Sequence, residues 1–222
     1  MGDVCTAFVN AGLGDDVEFV RLPPTEREGN HPFRLRKALY GMRKAPKYWQ
    51  QFFARAMSER GWTRSLSDPQ VFVHLGTKAI LVAHVDDIIM TSSEDDEKRL
   101  KDEISGKMKM KWLEYVEQGK WVKYLGKEWT RRATPGGEED AFAVRVPERY
   151  FQAILEQHGL KACRPVATPG EQQNQVDDTP FLDPAMHRRY RSTVGALMWV
   201  IAERPDLADS IRTLSRGAAH PT

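Results

Sequence analysis

The sequence is poor in the residues that build disulfide frameworks, zinc sites and membrane spans. It has only two cysteines, Cys5 and Cys163, which lie far apart without metal-type spacing. This usage favours a reducing, intracellular setting. The six histidines are scattered without a His-x3-His or Cys-x2-Cys pair, so no zinc site is expected. No apolar run reaches the roughly 18 residues of a membrane helix, and the N-terminus lacks the apolar core of a signal peptide.

The overall charge excludes little, but its distribution is informative. A net charge of +2, with 29% charged and 41% hydrophobic residues, indicates a globular chain with one sizeable core or a core plus a small appendage. Six basic and no acidic residues lie between Arg34 and Lys47, and eleven basic against five acidic residues lie between Lys98 and Arg132. Such stretches suit a polyanionic partner, although each is equally well explained as a solvated face.

The most informative stretch is Ala79–Thr91, where two apolar, β-branched runs flank Asp86 and Asp87. The runs predict buried strands, and the acidic pair predicts the tip of a tight hairpin. Taken alone, an Asp-Asp pair is ordinary turn chemistry. Two carboxylates about 4 Å apart, however, repel by roughly 4 kcal/mol at an intermediate dielectric. Where both stay ionised, a bound divalent cation is the common remedy.

The first 130 residues alternate strand and helix patterns. Pro46 suits the first turn of one helix, which Gly61 ends, and Ser93 caps a second. The order strand–helix–strand–strand–helix–strand predicts an α+β class with a split βαβ arrangement, an antiparallel sheet with helices on one face. The predicted strands are 3–9, 17–20, 71–75, 79–85 and one after Asp87; the buried helix stripes are Trp49, Phe52, Phe53, Ala56, Met57 and Leu100, Ile104, Met108.

The second half predicts a hairpin, a linker and three helices. Residues 121–129 and 141–146 form the hairpin around a Gly/Pro-rich loop at 134–140, and a third helix runs from Pro147 to Gly159. Residues 161–184, rich in Pro, Gln and Asp, predict a linker. The expected domains are therefore 1–160 and a helical segment at 185–222. In the third helix the positions predicted to face inward are Tyr150, Phe151, Ile154 and Leu155. The fourth helix is predicted from Tyr190, Val194, Leu197, Met198 and Ile201, and the fifth begins with Leu207, Ile211 and Leu214.

The predicted topology brings distant carboxylates together. In a split βαβ sheet the first strand neighbours the central hairpin, so Asp3 is expected beside Asp86 and Asp87. Three carboxylates at the lip of a sheet match what two-metal phosphoryl or nucleotidyl transfer requires, with ions about 3.5–4 Å apart. A nucleotide cyclase on the same sheet is an alternative that these residues alone leave open.

Six motifs in order resemble the reverse transcriptase domain of copia-type LTR retrotransposon Pol polyproteins, across practically the whole chain. Asp3-Val-Cys-Thr-Ala-Phe-Val-Asn10 resembles the family's DVKTAFLNG, Leu39–Trp49 its LYGLKQAPRxW, and Val85-Asp86-Asp87 its YVDD. The remaining matches are Lys123–Glu128, Pro165–Pro169, and the set Tyr190–Met198, Arg204-Pro-Asp206 and Leu214-Ser-Arg216, which resembles YRSxVGSLMY, TRPD and LSR.

The resemblance implies a polymerase palm followed by the start of a thumb-side region, and it implies roles for particular residues. Asp3, Asp86 and Asp87 would be the catalytic, metal-binding carboxylates for two Mg²⁺ ions, with Mn²⁺ as the alternative. Phe8 would exclude a 2′-hydroxyl, and Tyr40 and Gly41 would contact the incoming dNTP. The residues implied for primer and template binding are His84, Val85, Arg43, Lys44, Tyr124, Leu125 and Gly126.

The resemblance also implies partners, and the sequence departs from the family pattern at two positions. The partners are an RNA or DNA template-primer, dNTPs, and the rest of a Pol polyprotein, with integrase upstream and ribonuclease H downstream. No membrane partner is implied, and the expected setting is cytoplasmic virus-like particles or the nucleus. His84 stands where Tyr is usual, and Cys5 where Lys is frequent. Because the chain opens on a carboxylate strand, we expect a piece of a longer protein without its fingers, and a truncated, non-catalytic transposon remnant is the alternative.

Overall fold

The structure, a computed structural model, describes residues 1–23, 25, 31–134, 140–166 and 180–221. It has mixed α/β architecture with antiparallel sheets and helices. The chain falls into two units, Met1–Tyr115 and Val116–Thr222, which are described separately. The domain boundaries predicted at 160 and 184 stay a prediction. None of the helices in the described ranges is long and apolar enough to cross a membrane.

The first unit contains a six-stranded antiparallel sheet in the order β4-β5-β6-β7-β1-β8. The predicted hairpins are confirmed, with slightly shorter strands. The three-residue strands β4 and β8 at the two edges were not predicted from the sequence. The strands are β1 (Gly2–Val4), β4 (Trp62–Arg64), β5 (Val71–His74), β6 (Ile80–His84), β7 (Asp87–Thr91) and β8 (Met110–Trp112).

One face of this sheet packs on two helices, α1 (Ala45–Ser58) and α2 (Glu94–Ser105). The predicted start of α1 with proline in its first turn, and the cap of α2, are confirmed: the Ser93 hydroxyl accepts the Asp96 N–H at 3.3 Å. Both helices contribute to one apolar core. From α1 come Trp49, Phe53, Ala56 and Met57, from α2 Leu100 and Ile104, and from the sheet Val4, Trp62, Phe72, Leu81, Ala83 and Ile88.

The strand predicted at 3–9 ends early. The backbone of Thr6 is left-handed, with φ +52°, and a 3-10 helix follows at Ala7–Asn10. The Asn10 amide stabilises this turn by donating to the carbonyls of Cys5 and Thr6, at 3.2 and 3.1 Å. The strand predicted at 17–20 is likewise shorter: β2 (Phe19–Val20) pairs with β3 (Phe33–Arg34) in a separate two-stranded sheet.

The second unit contains a three-stranded antiparallel sheet in the order β11-β10-β9. The strand predicted at 121–129 is two strands, because the chain reverses at Leu125-Gly126, where both residues have positive φ. The pairing of 127–133 with 140–145 confirms the predicted hairpin, while residues 135–139 of its loop lie outside the described residues. The strands are β9 (Val122–Tyr124), β10 (Lys127–Ala133) and β11 (Asp140–Arg145).

Three helices complete this unit: α3 (Glu148–Gln157), α4 (Pro184–Met198) and α5 (Ala208–Arg216). In α3, the prediction that Leu155 points inward is wrong, since its side chain is exposed. The helix predicted from Tyr190 begins six residues earlier, because Asp183 caps the backbone N–H groups of Ala185 and Met186. Of the linker predicted at 161–184, residues 167–179 lie outside the described residues.

Leu81→Ala tests whether the helix-covered face carries the stability of the first unit. Leu81 is 0% exposed in the middle of β6, whereas its neighbour Ile80 is 43% exposed on the opposite face. We expect Leu81→Ala to lower the free energy of unfolding by about 2–5 kcal/mol, and Ile80→Ala to lower it by less than about 1 kcal/mol. Urea unfolding measures both. Equal losses would contradict this assignment of the two faces.

Candidate functional site

The pairing of β1 with β7 places carboxylates on neighbouring strands. Asp3 lies directly opposite Asp87, and residues in that relation share one face of a sheet. The row continues on both sides, because His84 is opposite Asp87 and Lys111 is opposite Asp3. These four residues alternate with the buried Val4 and Ile88, so they lie on the face away from the helices. The adjacency of Asp3 and Asp87 predicted from the sequence is therefore present.

Asp86 lies in the two-residue turn between β6 and β7, so the tip of the hairpin is Val85-Asp86 and Asp87 already belongs to the strand. Val85 has φ +58°, while Asp86 is not among the positive-φ residues. Positive φ at the first central residue alone is the pattern of a type II′ turn, where glycine is normal. A β-branched residue there is strained, at a cost of about 1–3 kcal/mol.

Two hydrogen bonds hold this turn. The indole Nε1–H of Trp49 in α1 donates to the carbonyl oxygen of Val85 at 2.6 Å. The backbone N–H of Val4 donates to the carbonyl oxygen of Asp86 at 2.8 Å. Successive carbonyl groups of the turn are thus bound by a core helix and by the strand that carries Asp3.

The carboxylates influence each other electrostatically. The pKa of Asp87 is raised above its usual range, first by partial burial and then by the negative charges of Asp86 and Asp3, while His84 opposes the shift. The three side chains are all partly buried. The negative charges of Asp86 and Asp3 therefore add to the effect of burial at Asp87, and the opposing effect of His84 is smaller than their sum.

The three carboxylates suit a metal ion by their chemistry but not by their present arrangement. Within the described ranges, no group of three or more His, Cys, Asp or Glu side chains is arranged to hold a metal ion. The chemistry of the donor set nevertheless fits a hard divalent cation, because all three side chains offer carboxylate oxygens. Partial burial is the largest cause of the raised pKa of Asp87, and such a cation would offset the further rise caused by the charges of Asp86 and Asp3. The metal-binding and catalytic roles of Asp3, Asp86 and Asp87 stay a prediction.

The 3-10 helix after β1 brings Phe8 against Tyr40. Their ring centroids are 4.7 Å apart. Phe8 also packs against both apolar clusters of the unit, which are the core beneath the sheet and a second cluster formed by Ala11, Leu13, Ala38, Ala45 and Tyr48. Tyr40 is half exposed, and Gly41 has φ +91°, a conformation that favours glycine. The structure thus brings together the residues predicted to contact the nucleotide sugar and base, and their roles stay a prediction.

The basic residues predicted beside this region differ in their contacts. Arg43 is exposed. Lys44 pairs with Asp16 at 3.1 Å, and the buried Tyr48 also donates to Asp16. This hydrogen bond raises the pKa of Tyr48 to about 12 and lowers that of Asp16. Lys44 therefore ties the loop before β2 to α1 in this structure.

A cleft opens beside the turn, on the side of His84 and Val85. His84 and Val85 are both exposed, so their side chains are accessible to a ligand in the cleft. Arg64 supplies a positive charge in the wall, which is otherwise mainly apolar. The other lining residues are Phe8, Pro46, Trp49, Gln50, Phe53, Pro69, Gln70, Phe72 and Ala83.

In the second unit, the residues predicted for primer binding form the turn between β9 and β10. Tyr124 is buried, whereas Leu125 is 41% exposed at the tip. Leu125 and Gly126 have φ +49° and +78°, the pattern of a type I′ hairpin turn. Trp129 donates its indole N–H to the Tyr124 carbonyl at 3.3 Å, and Trp199 packs against Gly126.

Two features of the site were not predicted from the sequence. Trp49 lies in the buried stripe of α1, as predicted, but the hydrogen bond from its indole to the turn was not expected. The available signal was that a buried tryptophan N–H usually requires a partner. The position of Lys111 beside the carboxylates was not predicted either, because β8 was not predicted and only strand register places Lys111 opposite Asp3.

Comparison with known proteins identifies relatives along nearly the entire chain. Residues 1–172 match the family model described as "Reverse transcriptase (RNA-dependent DNA polymerase)". The chain is 29% identical over 236 residues to the retrovirus-related Pol polyprotein from transposon RE1 of Arabidopsis thaliana, covering 99% of this chain and 14% of that protein. It is 25% identical over 241 residues to the corresponding polyprotein from transposon TNT 1-94 of Nicotiana tabacum, covering 99% of this chain and 17% of that protein.

A shorter relative is the putative transposon Ty5-1 protein YCL074W of Saccharomyces cerevisiae, 29% identical over 240 residues. That alignment covers 99% of this chain and 70% of the yeast protein. Against the two plant polyproteins, by contrast, the chain spans less than one fifth of their length.

Asp87→Asn tests the repulsion among the carboxylates. The raised pKa means that the charged form is disfavoured in the folded state, so the penalty exists above the folded pKa and disappears below the usual value of 3.8. We expect Asp87→Asn to raise the free energy of unfolding at pH 7 by less than about 1 kcal/mol, because solvent screens the partly exposed group. No gain is expected at pH 3. Urea unfolding at both pH values, without divalent ions, measures this.

The matched control is the same substitution in an Asp3→Asn background. Since the charge of Asp3 contributes to the raised pKa of Asp87, the gain at pH 7 should shrink there. An equal gain at pH 3, or a loss of stability at pH 7, would contradict the repulsion.

Proposed function

Because the chain belongs to the reverse transcriptase family, we propose that it carries polymerase-site residues of a copia-type retrotransposon Pol polyprotein. The reaction is RNA-directed DNA synthesis, in which a primer 3′-hydroxyl attacks the α-phosphate of a dNTP and pyrophosphate leaves. The observation that carries the proposal is the pairing of Asp3 with Asp87 across β1 and β7, with Asp86 in the adjoining turn.

The fold assignment belongs to the same proposal. Without the hairpin β4–β5 at one side of the sheet and the small β2–β3 sheet, the helices and strands of the first unit follow as β1, α1, β6, β7, α2, β8. This is the strand–helix–strand–strand–helix–strand order of a split βαβ unit, with both helices in one core. It supports interpreting the first unit as a polymerase palm.

Asp3, Asp86 and Asp87 are the residues that would hold two Mg²⁺ ions, or Mn²⁺ in their place. When bound, such ions orient the triphosphate, lower the pKa of the attacking hydroxyl and stabilise the leaving pyrophosphate. The protein's own contribution is to hold the carboxylates in fixed positions on paired strands. Asp3 and Asp87 lie on the face away from the helices, which is the side on which the nucleic-acid substrate would bind.

Phe8 is proposed as the residue that selects deoxyribonucleotides. Its ring is held by Tyr40 at 4.7 Å and by packing against both apolar clusters. A ring fixed in this way, against the nucleotide sugar, leaves no space for a 2′-hydroxyl. Tyr40 and Gly41 would contact the dNTP and its template base.

Primer and template contacts are proposed for two separate regions. In the first unit, the cleft beside His84 and Val85 offers apolar walls and Arg64 for a base and its phosphate, and Arg43 and Lys44 lie in the basic stretch before α1. In the second unit, the tip at Tyr124, Leu125 and Gly126 would contact the primer strand. None of these contacts requires a particular nucleotide sequence.

The wider context is proposed from the relatives. The two plant relatives are retrovirus-related Pol polyproteins from transposons, which supports a longer polypeptide here as well. In that polypeptide, integrase and ribonuclease H regions would act with this chain. The expected location is the cytoplasm, in virus-like particles, or the nucleus.

Asp86→Asn tests the polymerase assignment in a primer-extension assay with poly(A), oligo(dT), dTTP and Mg²⁺. The assay compares the 222-residue chain with a longer polypeptide that includes flanking polyprotein sequence. We expect the longer polypeptide to extend the primer in the presence of Mg²⁺. Asp86→Asn should lower the rate of extension by at least about a hundredfold, because several kcal/mol of transition-state stabilisation depend on the metal. The matched control is Asp15→Asn, in another consecutive Asp pair of the chain; Asp15 is exposed and lies outside the site.

The outcomes separate the two candidate functions. Extension that survives Asp86→Asn would overturn the assignment of the carboxylates. If both polypeptides are folded and bind template but do not extend the primer, the chain is a non-catalytic remnant that binds nucleic acid.

Phe8→Val tests nucleotide selection. We expect the preference for dTTP over UTP to fall by about tenfold or more, since a smaller side chain makes room for the 2′-hydroxyl. The control is Phe52→Val, which removes a ring packed against the same two clusters. If both variants change the preference equally, a packing effect explains it and Phe8 is not the selecting residue.

A further inference from the structure

We infer that Trp49 is a positioning residue, whose indole N–H fixes the turn that carries Asp86 and thereby the direction of the Asp86 and Asp87 carboxylates relative to Asp3. The inference deepens the proposed function and rests on it. The role proposed for Trp49 is exerted through the backbone of the turn, which its indole N–H contacts.

The turn has a conformation that its sequence does not favour. Val85 occupies a position where glycine is normal, at φ +58°. Its side chain is 41% exposed, so packing around the side chain provides little restraint. A strained conformation persists only where surrounding contacts determine it. The hydrogen bond from Trp49 to the Val85 carbonyl is such a contact, at 2.6 Å.

The indole of Trp49, which donates this hydrogen bond, is itself held in place by packing. Trp49 is 3% exposed, and its ring packs on Phe52 and Phe53 at centroid distances of 5.8 and 5.5 Å. A buried, well-packed indole on a 14-residue helix cannot swing away with the turn. The hydrogen bond therefore fixes the position of the Val85–Asp86 peptide relative to α1.

A second anchor gives this restraint its direction. The N–H of Val4 binds the Asp86 carbonyl at 2.8 Å, and Val4 follows Asp3 in β1. The Val85 carbonyl is bound to the helix and the Asp86 carbonyl to the strand. The backbone of Asp86, which lies between these two carbonyls, therefore loses its freedom to rotate. Asp86 and Asp87 are then held in register with Asp3.

The apolar stripe of α1 requires only a large apolar side chain at this position, which phenylalanine would also provide. Tryptophan adds the N–H donor. Trp49→Phe therefore removes the hydrogen bond while retaining an aromatic ring. The chain also offers a matched control in Trp62, which is 2% exposed in the same core and whose Nε1 has no hydrogen-bond partner among the described residues.

The first experiment is hydrogen–deuterium exchange on the metal-free 222-residue chain, comparing wild type, Trp49→Phe and Trp62→Phe under conditions of equal global stability. We expect exchange in the peptide spanning 83–88 to accelerate about tenfold in Trp49→Phe only, as the loss of one hydrogen bond of ordinary strength predicts. Equal exchange at this peptide in the two variants would overturn the inference.

The second experiment is primer extension by the same variants in the longer polypeptide. A misplaced carboxylate affects the chemical step, so we expect Trp49→Phe to lower kcat about tenfold with the KM for dTTP unchanged. Trp62→Phe should retain the wild-type kcat. A Trp49→Phe variant with a loosened turn and an unchanged kcat would show that the hydrogen bond has no catalytic role, and would overturn the inference.

The two readouts distinguish failure of the inference from failure of the proposed function. If the wild-type protein shows no extension with Mg²⁺, the proposed function has failed, and the positioning role fails with it. If the wild type extends the primer and the two variants do not differ, the proposed function stands and the role of Trp49 is overturned.

Discussion

The pairing of β1 with β7 is the constraint on which the candidate site depends. Asp3 and Asp87 face each other in this pair, although like charges directly opposite each other destabilise a sheet. The register is nevertheless fixed, because the same strands bury Val4 and Ile88 on the other face. A slip of one residue would expose both apolar side chains and turn the carboxylates into the core. Burial beneath the sheet thus determines the arrangement of charge above it.

The turn beside this pair shows a second conflict between local and tertiary preference. A valine with positive φ is unfavourable locally. Two residues away, burial and the charges of Asp86 and Asp3 disfavour the charged form of Asp87 and raise its pKa. Such conflicts in an otherwise consistent fold are typical of functional sites. Here they occur together, at the residues that the proposed reaction uses. The core below is built from ordinary apolar packing and can support both costs.

Much of the fold follows from the sequence where patterns are long. The stripe of α1, the Ser93 cap and the β6–β7 hairpin were all predictable, because helix periodicity and β-branched runs extend over many residues. The strands β4 and β8 have three residues each, too few for a periodic signal. At Asp183-Pro184, a capping residue followed by proline marks a helix start, but the polar composition around it favoured a linker.

The site was predictable in its carboxylates but not in what holds them, because hydrogen-bond partners depend on tertiary structure. Two tight turns among the described residues illustrate this, one at Leu125-Gly126 and one at Val85-Asp86. In the second unit, Gly126 relieves the turn after Tyr124, and the Trp129 indole reaches the Tyr124 carbonyl at 3.3 Å. The turn at Val85 contains no glycine, and the Trp49 indole binds it at 2.6 Å. The closer hydrogen bond occurs where the backbone has no glycine to relieve strain, which is where an external restraint is needed most.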